Sequence, residues 1–239
     1  MRKAKLLVAA VMMAMGVSAS AQLTKDFTGW TRVELSFDAQ SWKVKSGSAS
    51  LESTDKEKGL AFGFMKGISI SQKLPIFLDL GGRISWTHSH EDLKVGGWDG
   101  GLYNLQYKQV TVGKDTRNYM NIAIPVNAAY KFSFSKVALT PFFGPNFKFT
   151  FLAKEKRECT NLDYEEDFIS KYNSEYDDNL LKDDDVRVFQ FGLNVGLGVT
   201  LKSKFYFGYT FQPDLSSFEK YGDWKLKAKN NYITVGYNF

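Results

Sequence analysis

After its first 21 residues the chain alternates apolar and polar side chains, segment after segment, with a period of two. That period sends neighbours to opposite faces of an extended strand, whereas an amphipathic helix repeats every 3.6 residues. A first strand is predicted at 30–37, with Thr31, Val33, Leu35 and Phe37 on one face and Arg32, Glu34 and Ser36 on the other. A third, at 76–86, sets Ile76, Leu78, Leu80, Ile84 and Trp86 against Phe77, Asp79, Gly81, Arg83 and Ser85. A fourth and fifth, at 119–134 and 137–151, place Asn121, Asn127, Lys131, Asn146, Lys148 and Thr150 on the polar face. A sixth, at 188–201, alternates Phe189 to Leu201 with Gln190, Gly192, Asn194, Gly196, Gly198 and Thr200. Strands at 60–70 and 205–212 and the final NYITVGYNF complete eight.

A water-soluble sandwich also alternates, so the connections decide. Three are tight: around Gln72, Lys73 and Leu74, at Ser135–Lys136, and at Lys202–Ser203–Lys204. The other four, 38–59, 87–117, 152–186 and 213–229, are long and polar. A sandwich has no reason to gather its long loops at one end, whereas barrels that cross the bacterial outer membrane do so. Aromatics make up 15% of the residues, yet the mean hydropathy is only −0.29. No block after residue 21 reaches the roughly 20 apolar residues a helical span needs. The prediction is an all-β, closed eight-stranded antiparallel transmembrane up-and-down barrel over 22–239. Its short turns and both mature ends lie on the periplasmic side.

The first residues fit export. Arg2, Lys3 and Lys5 precede an apolar run of about ten residues, too short to span a bilayer, and Ala19-Ser20-Ala21 offers a cleavage site. A signal peptide is therefore predicted at 1–21. The formal net charge of +5 falls to +2 once those three cations are set aside. No basic stripe with interleaved aromatics remains for nucleic acid. The single Cys159 excludes an intramolecular disulfide.

Two features strain the pattern. Lys66 falls on the apolar face, which costs about 2–4 kcal/mol at mid-membrane but little at the surface. It is expected near the outer interface, with its ammonium reaching water. Pro125, Pro141 and Pro145 each remove a ladder donor, so a bulge or bend is expected in that hairpin.

Export signal, eight alternating strands and a terminal aromatic in NYITVGYNF resemble small outer-membrane barrels of the OmpX and OmpA-barrel type. The large polar loops and Tyr/Phe-rich strands look most like the outer-membrane β-barrel domain common in Bacteroidetes, which includes PorT-like proteins. The resemblance covers 22–239. It implies that the last strand is read by the barrel-insertion machinery as an assembly signal, and Ile233, Val235, Tyr237 and Phe239 match that pattern.

Four places in the sequence could carry chemistry. Arg32, Glu34, Asp79, Arg83, Lys131 and Lys148 all point inward. They read as a salt-bridged filling of a narrow lumen, bridged by amides such as Asn146 and Asn194, with Gly192, Gly196 and Gly198 leaving room for the long cationic chains. The alternative is a charged lining for a small-solute channel. Thr87-His88-Ser89-His90-Glu91 groups residues that a lipid A-modifying barrel enzyme could use, but any polar loop also holds such runs. The segment 152–186 carries a formal charge of −7, and Asp183-Asp184-Asp185 could attract a hard cation, although its spacing matches no EF-hand. Cys159 reads as an incidental thiol. The expectation is a non-enzymatic scaffold with no catalytic residue, cofactor or metal. Four outer loops would contact a binding target or an envelope partner, and the wall would contact outer-membrane lipid and lipopolysaccharide.

Overall fold

The computed structural model describes residues 26–46, 49–52, 57–99, 106–165, 168–182, 186–219 and 224–239. The predicted signal peptide and Asp183–Asp185 lie outside them, as does the side chain of Cys159. Among the described residues the strands are β1 (Trp30–Ser46), β2 (Ala49–Glu52), β3 (Glu57–Ser69), β4 (Ile76–Asp99), β5 (Gln106–Tyr130), β6 (Phe132–Phe134), β7 (Val137–Glu165), β8 (Phe168–Asn179), β9 (Phe189–Leu201), β10 (Phe205–Pro213) and β11 (Trp224–Asn238). All pairings are antiparallel, in the order β11-β10-β9-β7-β5-β4-β3-β1, and β11 returns to β1 to close the sheet. Eight staves therefore form a closed barrel, as predicted. β6 continues the line of β5 along β7. β2 and β8 are short hairpin partners on the far ends of β1 and β7.

The barrel is inside-out relative to a soluble protein. Phe62 on the wall is 60% exposed, whereas Arg32 in the lumen is 4% exposed. Leu35, Phe37, Phe64, Ile84, Phe207 and Ile233 continue the exposed apolar belt. Among the described residues closure pairs each of the eight staves on both sides through the belt, which is what a lipid environment requires of strands. Among the described residues no helix is long and apolar enough to cross a membrane.

At the short-turn end, Ser135, Lys202 and Ser203 adopt positive φ (52°, 51° and 60°), which lets the chain reverse within two or three residues. At the other end the structure corrects the prediction. Most of 87–117 and 152–186, and parts of 38–59 and 213–229, are strand and not loop. There the outer face carries exposed polar side chains such as His88, His90 and Lys154, so the ladder shows no apolar stripe and keeps only its backbone pairing as a signature.

Lys66 is outward, as predicted, but at the opposite end. It pairs with Thr31 and Leu80, two outward positions from Ile70 and the first short turn. Alternation fixes a side chain's face but not its depth. The prolines interrupt ladders without shifting them: β5 and β7 skip from Pro125↔Asn146 to Ala128↔Phe143 in one register. The register shifts instead between Met120 and Asn121, which face Leu152 and Thr150, so Phe151 is the extra residue of a bulge.

Candidate functional site

The inward residues of β1 descend the lumen like rungs and define its levels. Trp30 stands at the short-turn end, over Gly67, where a Cβ would lie 2.1 Å from the indole. Its ring packs against Phe77 at 4.7 Å, and its Nε1–H donates to Asp79 at 2.8 Å. Beside it Lys131 pairs with Asp26 at 2.6 Å and lies 6.0 Å from the Trp30 ring centroid. Burial would raise the Asp26 carboxyl, but the Lys131 ammonium and the N–H of Thr28 outweigh it and hold the group below its ordinary value.

Next come Arg32 and Glu34. Arg32 Nε donates to Glu34 at 2.7 Å and Nη2 reaches Asp79 at 3.5 Å; Arg83 holds the second Glu34 oxygen at 3.3 Å. The guanidiniums cover aromatic faces, Arg32 over Tyr206 at 3.7 Å and Arg83 over Tyr232 at 4.5 Å. All four charged groups are buried. A lone charge there would cost several kcal/mol, and two arginines against two carboxylates leave none alone. The space left among Arg32, Glu34, Asp79 and Arg83 is about 10 Å³, room for barely one water.

Above them Ser36 meets Thr234 at 2.8 Å, and Asn230 donates to Asp38 and Gln40 at 2.7 and 2.8 Å. Gln40 in turn donates to Glu57 at 2.8 Å. Across the lumen Lys148 pairs with Asp214, which enters from the segment after β10. The last rung among the described side chains of β1 is Trp42. With Tyr119, Phe218, Ala153, Val186 and Ala228 it forms a buried apolar cluster, its ring 5.1 Å from Phe218 and 5.9 Å from Tyr119.

The six predicted lumen charges are thus not one cluster. Arg32, Glu34, Asp79 and Arg83 form one network, while Lys131 and Lys148 bind Asp26 and Asp214 instead. Asn194 donates to Asn127 at 3.1 Å, but the Asn146 side chain has no hydrogen bond among the described residues, so it bridges no charges. Gly192, Gly196 and Gly198 make room for rings and a carboxylate, not for lysine or arginine; the glycine that faces an arginine chain is Gly236, beside Arg32. Tyr206 fills the space over Gly198, Phe142 that over Gly196, and Asp214 lies by Gly192.

Sequence reasoning missed Asp26, Trp42, Tyr119, Asp214 and Phe218. Trp42 shares the parity of Arg32 five residues beyond the predicted first strand, and Tyr119 shares that of Asn121 at the first residue of the predicted fourth, so alternation alone places both on the inner face. Nothing local marks Asp214 or Phe218. The strand geometry also separates the histidine–serine pairing. Ser89 is buried on the inner face, whereas His88 and His90 are exposed on the outer face beside Asn118 and Thr116. Among the described residues no cluster of His, Cys, Asp and Glu is arranged to hold a metal.

A closed antiparallel barrel with an apolar outer belt and a polar, charge-paired lumen defines a small transmembrane barrel of the outer membrane. The chain belongs to the outer membrane protein beta-barrel domain family, which it matches over residues 7–239. No curated protein matches the sequence. Among solved structures it is similar to Ail, the attachment invasion locus protein of Yersinia pestis, at 10% identity and TM-score 0.37, with 87% of this chain and 98% of that one covered. It is similar to Neisserial surface protein A at 13% identity and TM-score 0.35, covering 87% and 97%. The Escherichia coli outer membrane protease OmpT is similar at 7% identity and TM-score 0.40, covering 92% and 99%.

Proposed function

We propose that this protein is a non-enzymatic outer-membrane scaffold that presents its long hairpins outside the cell for binding, adhesion or assembly with an envelope partner. The observation that carries the reading is the filled lumen. A charge-paired middle with about 10 Å³ to spare lies below an apolar cluster of Trp42, Tyr119 and Phe218. A wall so occupied offers no water column, which leaves the hairpins as the surface on which a specific role can act. In this orientation the short turns face the periplasm, and the β7–β8 hairpin carries most of the acidic segment outward. The test is conductance of the purified protein in planar bilayers. No stable porin-like current is expected, and large reproducible currents would replace the scaffold with the small-solute channel.

Ile233, Val235, Tyr237 and Phe239 are proposed to guide assembly. Tyr237 and Phe239 pack edge to face at 5.3 Å, and the Phe239 N–H donates to Thr31 O at 2.9 Å, across the seam with β1. Deleting Phe239 should reduce the fraction of barrel that migrates as folded on unheated gels. Undiminished folded material would remove the assembly role.

A further inference from the structure

We propose that the cavity at the short-turn end binds an acidic peptide segment that enters the barrel along its axis. The cavity measures about 560 Å³, within the size range of ligand pockets. It is lined by five cations, Arg32, Lys131, Lys136, Lys202 and Lys204, against the side-chain carboxylate of Asp26 and the main-chain carboxylate of Phe239. Asp26 is already bound to Lys131, and Arg32 is bound to Glu34 and Asp79. Lys136, Lys202 and Lys204 have no ion pair among the described residues, and they converge from two separate turns on one opening. Lys202 moreover holds a left-handed φ of 51° that asparagine or glycine would adopt at less cost.

Three convergent unpaired cations at the mouth of a concave site raise the local concentration of anions. The lining also selects among them. Trp30, Val137 and Ala138 add apolar wall, and Thr140 and Thr200 add hydroxyls, a mixture that suits a peptide better than a bare inorganic anion. Arg32, Thr140 and Thr200 belong to the inner wall and are buried. A lipid with its tails against the outer wall cannot bring its headgroup to them. The residues just before Asp26 bring Lys25 and no carboxylate, so the chain's own leading segment supplies no complementary charge. The site faces the periplasm in the orientation proposed above, yet it involves none of the outer hairpins, so its failure and theirs are separable.

The experiment uses the full barrel in nanodiscs of zwitterionic lipid and a fluorescent Asp/Glu-rich peptide, read by anisotropy at low and moderate salt. Saturable binding that weakens with salt is expected. The triple variant Lys136→Glu, Lys202→Glu, Lys204→Glu, altered only in exposed turns, should lose at least about tenfold in affinity, or about 1.4 kcal/mol. Ala138→Trp, which fills the cavity behind the rim, should lose as much; Thr200→Phe replaces it if the first does not give a folded, heat-modifiable band. Equal binding of a lysine-rich peptide, or an unchanged triple variant, would overturn the proposal. So would loss in the triple variant with none in either cavity-filling variant, because contact would then be confined to the rim. Displacement by inorganic phosphate at peptide-like concentrations would make it a simple anion site, and binding only to anionic-lipid vesicles would make it a membrane contact. Either result overturns the peptide assignment.

Discussion

At the short-turn end the lumen widens into a basic cavity of about 560 Å³, rimmed by the lysines of two tight turns. At the opposite end the same lumen closes on Trp42, Tyr119 and Phe218, and the segment after β10 folds inward to bring Phe218 and Asp214 into the barrel. The wall is one continuous sheet, so the asymmetry comes from what the connections do. Two- and three-residue turns have no spare chain to fold back, and among the described residues the cavity they rim is left unfilled. A connection that extends beyond Pro213 has enough length to fold in, pair a carboxylate with Lys148 and lay a ring on Trp42. Between the two ends, the Arg32–Glu34–Asp79–Arg83 network separates one mouth from the other.

The largest effect is expected in that separating layer. Arg32→Ala strips Asp79 of its only ion-pair partner among the described residues and weakens the hold on Glu34. The expected loss is about 3–5 kcal/mol in urea unfolding of the refolded barrel. Arg83→Ala should cost less, because Arg32 still holds Glu34. Equal losses would mean that the two arginines do not divide the carboxylates as their geometry indicates. Phe218→Ala tests the sealed end. Removing a buried ring should cost about 3 kcal/mol and increase proteolysis between Asp214 and Lys225. It should leave planar-bilayer conductance at background, since the charged layer beneath remains. A current from this single variant would show that the apolar cluster, and not the charge network, is the barrier.

The smallest effect belongs to the open end. Asp26 is half-exposed and its carboxyl is held below its ordinary value of 3.8 by Lys131 and Thr28, against the opposing effect of burial. A carboxyl with a lowered folded-state pKa contributes stability that is present above the unfolded value and is lost as pH falls through the folded one. Asp26→Asn should therefore cost less than about 1 kcal/mol at neutral pH and flatten the part of the stability curve below about pH 4 that this group supplies. A variant whose acid limb is unchanged would show that the Lys131 pair contributes nothing to folding.

The sequence was most legible where lipid imposes a rule. Along Leu60, Phe62, Phe64 and Ile233, Val235 the wall must be apolar outward, so alternation named both faces. It was less legible above the belt. The charged run from Lys154 to Glu158 reads as a loop because nothing there requires an apolar face, yet it pairs residue by residue with β5 and β8. The bulge at Phe151 hid the change of parity that carries Ala153 into the lumen beside Tyr119 and Trp42.

What the sequence determined by itself was the class of fold and the inward or outward face of each stave, because a period of two and the length of each connection are local properties. Which charges meet was decided only by the closed barrel. Arg32 and Glu34 are neighbours on β1, but Asp79 and Arg83 reach them from β4, over the intervening β3 where Gly63 stands between Glu34 and Arg83, and Lys131 and Lys148 find Asp26 and Asp214 outside the strands. Those distances depend on the tilt and stagger at which eight strands close, and on where a long connection folds. Neither is written in the spacing of residues along any one strand.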